Sequence, residues 1–143
     1  MTREDDDFLD ELPTSPVSLR ARVLVVEDDD RLRELVVLRM RRMGYDVLEA
    51  GSGDEAIDVF SMTARGTSYD VDLVVTDVRM PGTTGLELAR LVRLVDGRIP
   101  ILVITAFPDQ AVIDEAAKLH VALLAKPFAL DRLSEAAIEL MAA

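Results

Sequence analysis

Residues 72–77 read DLVVTD, an apolar run that stops on a carboxylate. The same shape recurs at 23–28, VLVVED, and at 122–127, ALLAKP, where the run ends on a lysine. A strand buried on both faces reads as unbroken apolar sequence, because helices cover a parallel sheet from each side. Open sheets of this class carry their chemistry just beyond the carboxyl ends of the strands. The three runs therefore bring acids and one lysine to a common edge.

Outward from these runs, strand and helix patterns alternate. After the first run, Leu32, Leu35, Val36, Met40 and Met43 fall on one face of a predicted helix that Asp29 or Asp30 caps and Gly44 ends. A second strand, 45–50, leads to a helix with Ala56, Val59 and Phe60 inward, opened by a capping box of Ser52 and Glu55. After the third strand, 73–76, Thr84 and Glu87 supply another box before a helix lined by Leu88, Leu91, Val92 and Val95, closed by an Asp96-Gly97 turn. The fourth strand, 101–104, precedes a helix from Asp109 to Leu119 with Val112, Ile113 and Ala116 inward. A fifth strand, 121–125, precedes a last helix marked by Leu133, Ala137 and Leu140. Five β-α units with short links give an α/β fold with a doubly wound parallel sheet, since right-handed crossovers put helices on both faces.

The 143 residues suit about one domain, and 50% apolar residues suffice for a core. There is no cysteine, so neither disulfides nor thiolate chemistry is available. A net charge of −11 argues against a nucleic-acid surface, which needs clustered Lys and Arg. Residues 1–20 hold six carboxylates (Glu4, Asp5, Asp6, Asp7, Asp10 and Glu11) against Arg3 and Arg20, which leaves −7 on residues 21–143. With Pro13, Ser15, Pro16 and Ser18, that stretch reads as a disordered or loosely held acidic extension to a domain over 21–143. Its Phe8, Leu9 and Leu12 could form a short amphipathic turn for a partner; a solubilising tail is the plainer reading. No apolar stretch approaches a membrane span, and the acidic start lacks the parts of a signal peptide, so a soluble cytoplasmic protein is the expectation.

If the first and third strands are neighbours, Glu27, Asp28 and Asp77 lie within a few ångströms of one another. Such carboxylates repel, and each is driven toward its protonated form unless a cation intervenes. Hard oxygen donors with no His or Cys nearby suit Mg2+, which keeps several waters and also accepts phosphate oxygens. Phosphoryl transfer follows, with a carboxylate attacking phosphorus and cations neutralising the transferring group. Thr105, after the fourth strand, adds a hydroxyl, and Lys126, after the fifth, the cation. Any one of these acids could be a helix cap or loop residue; their joint placement carries the inference.

VLVVEDD, DLVVTDVRMPGTTGLEL, VITA and LLAKPF resemble, in order and spacing, the signature segments of the receiver domain of bacterial two-component response regulators. The resemblance covers residues 21–143 and implies the flavodoxin-like strand order 2-1-3-4-5. It implies that Asp77 accepts a phosphoryl group from a sensor histidine kinase or a histidine phosphotransfer protein, the domain itself catalysing transfer and its own dephosphorylation. Asp28 and Asp77 would ligate Mg2+ directly, Glu27 through a water, and the Arg79 backbone carbonyl would complete the protein ligands. Lys126 would pair with the phosphoryl group, Thr105 would bond to it, and Lys126-Pro127 would be a cis peptide. Met80-Pro81-Gly82 would form a loop beside the site.

Several positions depart from the family's pattern. Glu27 replaces the usual Asp and keeps its charge. Leu123 stands where the family often has a Tyr or Phe whose rotamer follows the threonine, so as a switch residue paired with Thr105 it cannot make the aromatic inward-outward change. His120-Val121 stands where many receivers have Gly-Ala, and the histidine is expected to be a solvent-facing loop residue. Arg79 and Phe107 occupy positions that line the approach to the acceptor, where bulk would hinder attacking water. Only a short helix follows Lys126, so this stretch contains a stand-alone regulator, a phosphorelay intermediate or a receiver excised from a longer protein. The competing class is a receiver-like interaction module that signals without phosphorylation. A haloacid-dehalogenase-type hydrolase is disfavoured because position 79 is Arg rather than a second acid. A homodimer through the fourth and fifth helices is compatible with the sequence but not required by it.

Overall fold

A computed structural model describes residues 20–143; the acidic extension and its apolar trio Phe8, Leu9 and Leu12 lie outside the described residues. In chain order the elements are β1 (Arg22–Val26), α1 (Asp30–Arg42), β2 (Asp46–Ala50), α2 (Gly53–Ser61), a small hairpin of β3 (Ala64–Arg65) and β4 (Ser68–Tyr69), β5 (Leu73–Asp77), α3 (Gly85–Val95), β6 (Ile101–Thr105), α4 (Gln110–Leu119), β7 (Ala122–Ala125) and α5 (Leu130–Ala142). The main sheet is parallel, in the order β2-β1-β5-β6-β7. Without the hairpin, that is the expected order 2-1-3-4-5. The 64–69 hairpin was not expected; its two-residue strands are too short to show an alternating pattern, and Gly66, at φ 64°, makes the turn.

Alternation along the strands sorts the core into two layers. Leu24, Val26, Val74, Ile101 and Val103 pack on one side with Ala56, Phe60, Leu88, Ala89 and Val92. Val23, Val25, Leu73, Val75, Leu102 and Ile104 pack on the other with Val36, Val37, Met40, Leu133 and Ala137. Both faces of β5 and β6 are thus covered, which is why their sequences are apolar up to Thr76-Asp77 and Thr105 at their carboxyl ends.

The helix starts follow the expected chemistry with one variation. The Asp29 side chain accepts from Leu32 N–H and caps α1, and Thr84 with Glu87 forms a complete capping box on α3. At α2, Ser52 accepts from Glu55 N–H, but the Glu55 carboxylate reaches one residue further back, to Gly51 N–H, so the box is open. Gly44 follows α1 at φ 94°, the positive-φ position that ends a helix. The inward faces are narrower than the apolar stripes. Leu35, Leu91, Val95 and Ile113 are exposed, whereas Val37 and Ala89 are buried. Each helix meets the sheet along a limited arc, and residues at the margin of its stripe turn sideways to solvent.

Candidate functional site

The carboxyl ends of β1, β5, β6 and β7 bring the expected residues together. Adjacent pairing of β1 with β5 puts Glu27 and Asp28 beside Asp77, and ligand oxygens of all three lie within 4.8 Å of one another. Glu27 and Asp77 are only 3% and 7% exposed, while Asp28 faces solvent. One Asp77 oxygen accepts from Val78 N–H at 2.8 Å, and the other lies 3.3 Å from Lys126 Nζ. Lys126 also approaches Glu27 at 3.8 Å. It reaches the site because β7 pairs with β6, where Lys126 N–H donates to the Thr105 carbonyl, and the peptide to Pro127 is cis.

Burial, helped by the neighbouring Asp77 charge, pushes the Glu27 carboxyl up to about 7 against the opposing pull of the Asp29 N–H and Lys126. A carboxylate held this way is short of positive charge, and among the described residues Lys126 alone serves both it and Asp77. Three oxygen donors with no soft ligand among them match a hard divalent cation that retains waters. The donor set fits Mg2+.

Thr105 is buried, and its Oγ1 accepts from Phe107 N–H at 3.1 Å. Arg79 stands on the loop after β5 with its guanidinium 5.2 Å from the centre of the Phe107 ring, a cation–π pair spanning the two loops beside the acids. Leu123 is not at this edge: it pairs with Val103 in register and packs, partly buried, against the α2–α3 side of the core. His120 is an exposed residue, as expected, but it adopts the left-handed conformation at φ 55° to cap α4.

Two features of the site had not been singled out from the sequence. Gly85 lies so close to the strand end that a β-carbon there would collide with the Asp77 carbonyl, which lets α3 begin directly beside the acid. Arg33 donates from α1 to the Glu27 carbonyl at 2.8 Å and pairs with Asp30, steadying the loop that carries the acid pair. A glycine opening a helix is a recognisable signal in sequence; a side chain reaching a backbone carbonyl is not.

The sequence model of the response regulator receiver domain matches residues 23–138. The chain belongs to that family. Receiver-bearing relatives include the transcriptional regulatory protein ResD of Bacillus subtilis, 38% identical over 90 residues, covering 63% of this chain and 35% of ResD. Sporulation initiation phosphotransferase F of the same organism is 28% identical over 119 residues, covering 82% of this chain and 91% of its own. Among solved structures, the chemotaxis protein CheY4 of Vibrio cholerae matches with a TM-score of 0.74 at 29% identity, over 85% of this chain and 98% of that one. The HemR receiver domain of Leptospira biflexa matches with a TM-score of 0.77 at 27% identity, over 87% and 96%. The receiver spans about half the length, or less, of the transcriptional regulators it matches first. None of its described helices is long and apolar enough to cross a membrane.

Proposed function

We propose that this receiver domain accepts a phosphoryl group on Asp77 and signals by a phosphorylation-dependent change in protein contact. The observation that carries the reading is the Asp77 carboxylate, buried, paired with Lys126 at 3.3 Å and within ligand distance of Glu27 and Asp28. An Asp77 oxygen attacks phosphorus as the P–N bond of a phosphohistidine breaks, and the released electron pair stays on the imidazole nitrogen, which takes up a proton. The donor is a sensor histidine kinase or a histidine phosphotransfer protein. Lys126 neutralises charge on the transferring group, and Thr105 offers its hydroxyl to a phosphoryl oxygen.

Asp28 and Asp77 would hold Mg2+ directly, Glu27 through a water, with the Arg79 carbonyl as a further ligand. Bound there, Mg2+ supplies the positive charge that three carboxylates and a phosphoryl group together require. In this reading the Arg79–Phe107 pair, joined by its cation–π contact, screens the approach to Asp77 and slows the entry of hydrolytic water. The domain acts in the cytoplasm, where such donors reside. The receiver proper spans residues 21–143.

Incubation with acetyl phosphate and Mg2+, followed by intact mass measurement, tests the reading. Wild-type protein is expected to gain one phosphoryl group and Asp77→Asn none. No gain in either would instead favour a receiver-like module that signals without phosphorylation.

A further inference from the structure

Helix α1 is the basic element of an acidic chain. It carries five arginines against Asp30 and Glu34, whereas the whole sequence has a net charge of −11. Arg31, Leu35, Leu38 and Arg42 recur at spacings of four, three and four residues, which places them in one line along the helix. All four are exposed, Leu35 at 49% and Leu38 at 46%, so two leucines stand bare between two guanidinium groups. Arg33, Arg39 and Arg41 are engaged by Asp30, Asp131 and Glu49, but Arg31 and Arg42 form no ion pair among the described residues. Beside this line lies a groove of about 620 Å3, bordered by Leu35, Leu38, Arg41 and Glu49 of the edge strand β2. A second apolar patch, on α3, has both its cations committed. Leu91, Leu94 and Val95 are exposed there, yet Arg90 is bound to Glu115, and the Arg93 guanidinium donates to the backbone carbonyls of Ile99, Leu119 and His120.

The segment before Arg20 has the pattern complementary to α1. Phe8, Leu9 and Leu12 are interleaved with acids at 4–7, 10 and 11, and Phe8 and Leu12, four apart, would share one face of a helical turn. Asp46 N–H donates to the Ala21 carbonyl at 2.9 Å, so the receiver's first strand starts beside the turn that follows α1. The eight peptide links between Leu12 and Arg20 span up to about 27 Å when extended, against about 20 Å for the 13 residues of α1. The apolar trio therefore reaches the whole line. A tether of this length holds it at an effective concentration on the order of millimolar, so weak contacts suffice.

We infer that residues 4–12 dock on the outer face of α1 of the same molecule, Phe8 and Leu12 against Leu35 and Leu38, with the flanking acids beside Arg31 and Arg42. Apolar contact supplies the attraction, and exposed ion pairs, individually weak, set the place. Because α1 starts two residues after Asp28, the docked segment borders the acid site and withholds this face from other proteins.

Paramagnetic broadening on the full chain tests the docking. The sequence has no cysteine, so Ser15→Cys gives a single point for a nitroxide label, three residues from Leu12. Amide signals of residues 31–42 are expected to be lost in the labelled protein and to return when the nitroxide is reduced, while those of 85–95, on the opposite side of the sheet, persist. On the same background, Phe8→Ser with Leu12→Ser should restore the α1 signals, and Arg31→Glu with Arg42→Glu should do so too. Should the arginine variant not fold, the segment variant decides. No loss at α1, a loss spread evenly over α1 and α3, or a loss unaltered by either pair of substitutions would overturn the docking. In a mixture of nitroxide-labelled and isotope-labelled molecules the α1 signals should survive; their loss would assign the segment to a second copy and overturn docking within one molecule.

Discussion

At the carboxyl edge of the sheet four ionisable side chains meet, whereas on the flank of α4 the decisive contacts end on backbone atoms. Glu27, Asp28, Asp77 and Lys126 converge through strand pairing alone. Arg93, by contrast, fixes α4 through the carbonyls of Ile99, Leu119 and His120, and Thr105 holds the preceding loop through the N–H of Phe107. The first region is defined by which residues it contains. The second is defined by conformation, and many residue types could present the same carbonyls. Substitutions at the edge should therefore change chemistry abruptly, and substitutions on the flank should change its transmission by degrees.

The largest effect is expected from Lys126→Ala, which removes the cation shared by Asp77 and Glu27. Phosphorylation by acetyl phosphate should slow by about 100-fold, the scale of losing one preorganised electrostatic contact. A slowing of less than about threefold would mean that Lys126 only balances charge in the resting site.

A pH series sharpens the same side of the comparison. Glu27 titrates near 7 in the fold against 4.5 as its ordinary value. The folded state therefore holds a proton that the unfolded chain releases across that window. The stability gained from the protonated carboxyl is full below pH 4.5 and lost as pH rises through about 7. Metal-free protein should thus lose melting temperature over this range, Glu27→Gln should lose less of it, and added Mg2+ should stabilise most at the alkaline end. An equal pH slope in the variant would place the origin elsewhere.

The smallest effect belongs to the flank. His120 occupies a left-handed position that costs an ordinary residue about 1 kcal/mol, so His120→Gly should raise stability by up to that amount in a denaturant melt and leave phosphorylation untouched. A change in phosphorylation rate would break the separation between the two regions.

The same separation explains what was legible in the sequence. Apolar runs ending in charge revealed the parallel sheet and the four ionisable residues at its edge, because burial on both faces and the strand-end position leave a mark on residue type, whereas the strand order came from the resemblance to receiver domains. Thr105 and Leu123 were likewise readable as a hydroxyl beside the acids and an aliphatic residue in the core. The 64–69 hairpin was not, since two residues per strand carry no period. Nor was the Arg93 clamp, because a guanidinium binding carbonyls of a loop and of a helix end requires both to be placed first. The exposed Leu35 and Ile113 show the limit of periodicity, which finds the apolar side of a helix but not the width of its contact.

The most direct measurement is the position of the phosphoryl group itself. Borohydride reduction of protein treated with acetyl phosphate and Mg2+ converts an aspartyl phosphate to homoserine, which peptide mapping locates. Homoserine at residue 77, and its loss when Mg2+ is removed, is the expected result; homoserine at Asp28, or phosphoryl mass with none at 77, would contradict a site centred on Asp77.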